Sequence, residues 1–275
     1  MSKCIIVGLG YFGKIIKSKL EEVTIYTVDP VNEDADFKTV GEVPFKDAKW
    51  FVTTPAAAHH EILKQLFEKG VKDIWVEKPI CSKFEDTLDI FATIPDDVFL
   101  YCDFTWLQHS AVQTLGKTCG DDAPKHIELK WLNDGSMIPG DVNIVLDLAI
   151  HPLSIITYLL IKSKDKIKHV EIKFATKNSV LIQGYSDVNC TTFNIEVSNS
   201  SMKKRRGISL YCSEKVYRWN SDSEFYIENI GEIEKSDALE KNIDKFFNRI
   251  SIGYPLDIAR KLEIVNKQYL QHVET

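Results

Sequence analysis

The chain has no excess of basic residues, no C-x-x-C pair, no internal repeat and no low-complexity linker. Its 34 Lys and Arg stand against 40 Asp and Glu, a formal net charge of −6, which excludes a general nucleic-acid binder. The single basic run, Lys203-Lys204-Arg205-Arg206, falls between strand-like segments and reads as a solvated hairpin or edge strand. The six cysteines (Cys4, Cys81, Cys102, Cys119, Cys190 and Cys212) are dispersed, with no spacing that suggests zinc, so no metal is expected. Several lie in apolar strand-like runs, where Cys serves as a small core residue, and they read as reduced thiols. No apolar run reads as long enough to cross a membrane. A strand opens the chain with no signal peptide before it, so the expected compartment is the cytoplasm, with neither membrane nor nucleic acid as partner.

What is present suits a globular chain of two domains. The 275 residues are 44% hydrophobic and 27% charged, ordinary values for such a protein. Strand-like and helix-like segments alternate up to Cys102: Cys4 to Val7, Val23 to Val28, Trp50 to Thr53, Ile74 to Val76 and Val98 to Cys102, with helices near Ala58 to Glu68 and Lys83 to Thr93. Such alternation predicts a doubly wound parallel sheet. The connection from Asp29 to Lys49 is acidic and weakly periodic, so its crossover helix is expected to be short or degenerate. After Asp103 the pattern changes. Helices near Leu107 to Lys117 and Asp141 to Leu160 flank a strand at His126 to Leu132. Strand-like runs then follow without helices between them: Val170 to Ala175, Val180 to Tyr185, Thr192 to Val197, Ile208 to Cys212, Val216 to Trp219 and, more weakly, Glu224 to Glu228. This predicts an α+β domain with a large, open, mostly antiparallel sheet, closed by helices near Ala238 to Ile250 and Leu256 to Tyr269. The expected boundaries are 1–104 and 105–275.

The first strand runs into Gly8-Leu9-Gly10-Tyr11-Phe12-Gly13. A lone G-x-G-x-x-G is weak, but here a β-branched strand precedes it and an amphipathic helix follows, the context of a Rossmann dinucleotide site. Gly8 permits the tight turn, Gly10 lets backbone approach a pyrophosphate, and Gly13 lets helix and strand pack closely. The N–H groups of Tyr11, Phe12 and Gly13 then face the phosphates. Asp29 closes the second strand 21 positions after Gly8, where a ribose-binding acid is expected. Its charge repels a 2′-phosphate and Pro30 supplies no cation, so NAD is favoured over NADP.

Ligands bind beyond the carboxyl ends of such strands. Thr53-Thr54-Pro55 and Glu77-Lys78-Pro79 both lie at that edge, and His59 or His60, at the start of the next helix, is placed to reach the cofactor or to solvate the helix. Lys78 is suited to hydrogen-bond a substrate hydroxyl and help move a proton, or simply to pair with Glu77. Asp147 and His151 are four apart in a largely apolar helical segment, which places them on one face. An unpaired Asp there is costly to bury, so a shared polar cleft suits both. His151 can accept a hydroxyl proton while Asp147 orients the imidazole, although an internal pair with no ligand fits the same spacing. Asp103, Thr105, Trp106 and His109 sit at the expected domain junction within reach of substrate, with Trp106 better suited to packing. His126, His169 and His272 form no constellation.

The ordered set of Gly8-x-Gly10-x-x-Gly13, Thr54-Pro55 with the His59 helix, Glu77-Lys78-Pro79 and Asp147-x-x-x-His151 resembles the Gfo/Idh/MocA oxidoreductases over nearly the whole chain. That resemblance implies a Rossmann domain followed by an α+β domain whose sheet forms homodimers or homotetramers. It implies hydride transfer at a carbon of a sugar, nucleotide sugar or cyclic polyol, with Lys78, Asp147 and His151 near that carbon. The stretch 141–151 looks most like members acting on nucleotide-linked sugars, while Ile150 and Pro152 depart from the Pro-His-Asp of those members. The chain is also shorter than many members. Two alternatives stand beside this reading: a reductase of a non-sugar carbonyl or imine, and a catalytically silent NAD-binding regulatory protein.

Overall fold

The computed structural model describes residues 3–135, 142–251 and 255–273. The chain forms two compact units, Met1–Phe104 with Asn242–Leu256, and Thr105–Lys241 with Asp257–Thr275.

The first unit contains β1 (Lys3–Val7), α1 (Tyr11–Lys19), β2 (Thr24–Val28), β3 (Lys49–Val52), α2 (Ala56–Glu68), β4 (Asp73–Val76), α3 (Phe84–Thr93) and β5 (Phe99–Cys102). Ile5, Ile6, Trp50, Phe51, Ile74 and Trp75 are all fully buried. Successive strand residues point to opposite faces, so these strands are covered on both sides, as a parallel sheet requires. All pairings are parallel and the order is β2-β1-β3-β4-β5. The order reverses at β1, and the crevice between the carboxyl ends of β1 and β3 is therefore the switch point where such sheets bind ligands. Between β2 and β3 there is no α-helix, only the short 3-10 turn Val40–Glu42. Phe37 makes an isolated parallel bridge to Val28, the vestige of a strand that would extend the sheet beyond β2.

The second unit contains α4 (Ser110–Asp121), β6 (His126–Leu132), α5 (Ile150–Lys162), β7 (Ile167–Thr176), β8 (Ser179–Ser186), β9 (Thr192–Ser198), β10 (Arg205–Tyr211), β11 (Val216–Asn220) and a minor pair, β12 (Tyr226–Ile227) and β13 (Gly231–Glu232). Its six-stranded sheet has the order β11-β10-β6-β9-β8-β7. Only β6 and β9 pair in parallel; the other neighbours are antiparallel. Period-2 alternation is clean in β6, where Ile127, Leu129 and Trp131 are buried while His126, Glu128 and Lys130 face outward. The buried face meets α5, whose Leu153, Ile155, Ile156, Leu159 and Leu160 are fully buried.

Two expectations are corrected here. The basic run is not on an edge strand: Lys203 and Lys204 precede β10, which lies between β11 and β6, and Arg206 is only 6% exposed because the pleat turns it to the buried face. Lys203, Lys204 and Arg205 remain exposed. The apolar-run expectation also fails on length. Among the described residues, Val145–Lys162 is long and apolar enough to cross a membrane, yet 67% of it is buried inside the unit, so its hydrophobicity is accounted for by core packing. The residue Asp141, the predicted start of this helix, lies outside the described residues.

Helices α6 (Ala238–Phe247) and α7 (Pro255–Val273) end the chain. Phe246 of α6 is fully buried, edge-on to Phe51 at 5.1 Å and stacked on Phe99 at 6.2 Å between ring centroids. The core of the first unit is thus completed by residues from far along the chain. Phe246→Ala is expected to cost about 3–5 kcal/mol through lost burial and the cavity left behind, read as a lowered urea midpoint.

Candidate active site

The glycine loop has three different demands at its three glycines. Gly8 has φ +97°, and a Cβ there would lie 2.8 Å from the Thr54 nitrogen. At Gly13 a Cβ would stand 2.0 Å from the Gly8 carbonyl oxygen, so α1 docks only with glycine at that position. At Gly10 a Cβ would meet nothing within 4 Å. The first two glycines are required by the protein's own packing, whereas the third leaves open space at the start of α1. No side chain caps α1 and its first turn has no acid, so its leading N–H groups and the positive end of its dipole are uncompensated. Tyr11 is exposed, and Phe12 packs inward on Trp75 at 5.9 Å.

Asp29 sits beside this loop. Its carboxylate accepts hydrogen bonds from the Leu9 N–H at 2.8 Å and from the Val31 and Asn32 N–H groups at 2.9 Å. Burial disfavours the charge, yet these backbone donors hold the carboxyl below the usual carboxylate range. With about four lone-pair sites, an ionised carboxylate so engaged can still accept from a ribose hydroxyl.

The strand ends are tied to one another by backbone carbonyls. Thr53 Oγ1 donates to the Gly8 carbonyl at 2.7 Å, joining β3 to the loop. Thr54 Oγ1 is enclosed without a hydrogen-bond partner, an orphaned polar atom next to Gly8. Pro55 starts α2 and is exposed. His59, by contrast, is 1% exposed. Its Nδ1 lies 3.0 Å from the Pro79 carbonyl oxygen and its Nε2 2.8 Å from that of Thr54, so it clasps the segments after β3 and β4. His60 pairs instead with Asp89 on α3 at 2.8 Å. Glu77 and Lys78 close β4 before a cis Lys78-Pro79 bond, and Glu77 Oε2 accepts the Lys78 N–H at 2.8 Å.

In the second unit Asp147 lies in a π turn, Val145–Ala149, that runs directly into α5 and His151. Such widened turns recur at functional sites, and the sequence spacing alone suggests an ordinary helix. His151 lies 5.8 Å from the Trp131 ring. On the same indole sits the Arg206 guanidinium, 4.7 Å from the ring centroid. Arg206 donates to the Leu132 carbonyl and to Asn133 Oδ1. Burial pulls its pKa down to about 10, with Asp147 opposing. Sequence reasoning assigned Arg206 to solvent; its one signal was a strand-like run following directly on the basic cluster. Asp147 also borders a cavity of about 250 Å³ shared with Asn143, Leu148, Lys177, Asn199 and Tyr269.

The remaining candidates make contacts within the protein. Trp106 packs edge-on against Trp131 at 4.7 Å. His109 is 6% exposed, and its Nδ1 accepts from the Ala111 N–H at the start of α4. Asp103 is 1% exposed.

No family model matches the chain, and no curated protein matches it in sequence. Solved structures do match. UDP-N-acetylglucosamine 3-dehydrogenase GnnA from Acidithiobacillus ferrooxidans superposes with a TM-score of 0.83 at 19% identity, over 99% of this chain and 97% of that one. GenD2 from gentamicin A biosynthesis, in complex with NAD, gives 0.79 at 14% identity over 98% and 94%. Myo-inositol dehydrogenase from Lactobacillus casei, in complex with NAD(H) and myo-inositol, gives 0.78 at 12% identity over 99% and 95%. The chain therefore shares the fold of these dehydrogenases along its whole length.

The glycine geometry separates a packing role from a ligand role. Gly13→Ala is expected to destabilise the protein by about 1–3 kcal/mol or more through overpacking. Gly10→Ala should stay within roughly 0.5 kcal/mol of wild type while weakening NADH binding. Thermal unfolding and NADH titration of the two variants check this.

Proposed function

We propose that the chain is a Gfo/Idh/MocA-type oxidoreductase that transfers a hydride between NAD and a CH–OH carbon of a sugar, nucleotide sugar or cyclic polyol. The observation that carries the reading is the open space at Gly10 before an uncapped helix, in a loop whose other two glycines are demanded by packing. The residues present fit a dinucleotide: the α1 N-terminus for the pyrophosphate, Asp29 for the adenosine ribose, and the ends of β3 and β4 for the nicotinamide half. NAD is preferred because a 2′-phosphate would meet the ionised Asp29, beside Pro30.

When bound, nicotinamide supplies the hydride acceptor. His151 takes the proton of the substrate hydroxyl, and Asp147 holds the imidazole for that transfer. Arg206, buried against Trp131, places a positive charge near Asp147. Lys78 hydrogen-bonds the hydroxyl of the reacting carbon and shares in handling its proton. Self-association through the second unit's sheet, as a homodimer or homotetramer, belongs to the same proposal.

The test follows reduced-nicotinamide absorbance when the protein is mixed with NAD or NADP and a panel of sugars, inositols and nucleotide sugars. Turnover with NAD on at least one of them is expected. Silence across the panel, in protein that binds NADH, favours a non-sugar carbonyl or imine substrate or a regulatory role. Lys78→Met is expected to lower turnover by about 100-fold or more, the scale of lost acid–base catalysis, with NADH still bound; wild-type turnover in that variant removes Lys78 from the mechanism.

A further inference from the structure

Asp103 reads from the sequence as a substrate contact, but it is 1% exposed and faces inward among Tyr101 and Asn242, which are 2% and 0% exposed. The Tyr101 hydroxyl donates to Asn242 Oδ1, and Asn242 Nδ2 donates to Asp103 Oδ1. Because its oxygen is taken by the phenol, the Asn242 amide presents its NH₂ to Asp103. Burial, reinforced by the nearby Asp103 charge, holds the Tyr101 phenol well above its ordinary range, so it stays a donor. Glu77 and Asp103 directly follow the register pair Val76 and Cys102 of β4 and β5, which sets the half-buried Glu77 carboxyl beside that of Asp103, in hydrogen-bond contact. Glu77 Oε2 accepts the Lys78 N–H at 2.8 Å.

Two enclosed carboxyl groups in hydrogen-bond contact cannot both be ionised, because the second charge would meet both the cost of burial and the repulsion of the first. A proton must lie between them. Each carboxyl already accepts one N–H hydrogen bond, Asp103 from Asn242 and Glu77 from Lys78, so a single hydrogen between them completes the contact. We propose that Glu77 and Asp103 hold one proton between them at neutral pH, and that this pair positions Lys78 by binding its backbone N–H. The part concerning Lys78 rests on the role proposed for it above; the shared proton does not.

The surrounding charges agree. Burial first, then the Asp103 charge, push the Glu77 carboxyl well above the usual range, with Lys78 opposing. The neighbouring thiols add no charge: burial pushes Cys81 up to about 12 and holds Cys102 well above its ordinary value. Asn242 and Tyr101 are neutral, so the network carries a single negative charge. The pH consequence follows from the sign of the shift. A raised acid keeps its proton in the folded state after the unfolded chain has released it. The pair's contribution to stability is therefore complete below the ordinary Glu pKa of about 4.3 and is lost as pH rises toward the folded value.

Infrared spectroscopy of the full-length protein in D₂O tests the shared proton directly. Wild type is expected to show the carbonyl stretch of a neutral carboxylic acid at neutral pH, absent in Glu77→Gln. In Asp103→Asn the band should move, since the group that accepts the proton has changed; this second variant assigns the band if the first does not fold. Absence of the band in wild type, or its persistence unchanged in both variants, overturns the shared proton. The positioning role is read from NADH affinity against pH, which should fall for wild type as the pair ionises and stay flatter for Glu77→Gln, whose amide keeps the neutral form's hydrogen bonds. Identical pH profiles overturn that role. Failure of wild type to bind NADH at any pH removes the dinucleotide reading and the Lys78 part with it, while the infrared band still decides the proton.

Discussion

Helix α1 lies so close to the first strand that position 13 has no room for a side chain, and this contact sets the geometry of everything at the sheet's carboxyl edge. With glycine there, the Gly8 carbonyl reaches under the helix and also accepts the Thr53 hydroxyl, so loop, helix and β3 are fixed by one group of atoms. The helix N-terminus is held with its N–H groups directed at the space left by Gly10. β1 and β3 are neighbours in the strand order, and the chain leaves them in opposite directions across the sheet, which opens the crevice in front of that N-terminus.

Around this edge the backbone or a second side chain satisfies most enclosed polar groups, Thr54 Oγ1 being an exception. Asp29 is held by three N–H groups, His59 by carbonyls from two segments, and Glu77 by a backbone N–H and Asp103. In the second unit the terminal nitrogens of Arg206 meet carbonyl groups and its guanidinium lies on an indole face, while Nε is left without a partner. These arrangements hold chemically useful side chains in place, since a group with its orientation fixed by neighbours costs little to present to a ligand.

Local features of both units are legible in the sequence because their causes are local. The β-branched run before Gly8, the spacing of the three glycines and the position of Asp29 depend on turn geometry within a few residues. The strand at His126–Leu132 is readable to its ends because burial alternates along it without interruption. Several features are invisible at that range. The parallel pairing of β6 with β9 breaks an otherwise antiparallel sheet, and no short-range pattern states which strands will meet. The π turn holding Asp147 departs from the ordinary helix that its residues suggest. Asn242, on the strongly amphipathic helix α6, gives no sign that its amide will meet Asp103 from 139 residues away.

The sequence by itself determined the alternation of strand and helix, the glycine loop, the acid after the second strand and the two catalytic-type motifs, because periodicity and backbone sterics act over a turn or two of chain. Tertiary structure alone decided that Arg206 is buried on an inner strand, that Phe246 closes the core of the first unit, and that Asp103 is enclosed against Asn242. Each of these depends on burial and on partners brought in from distant parts of the chain, and desolvation has no value for a residue until the fold has chosen what surrounds it.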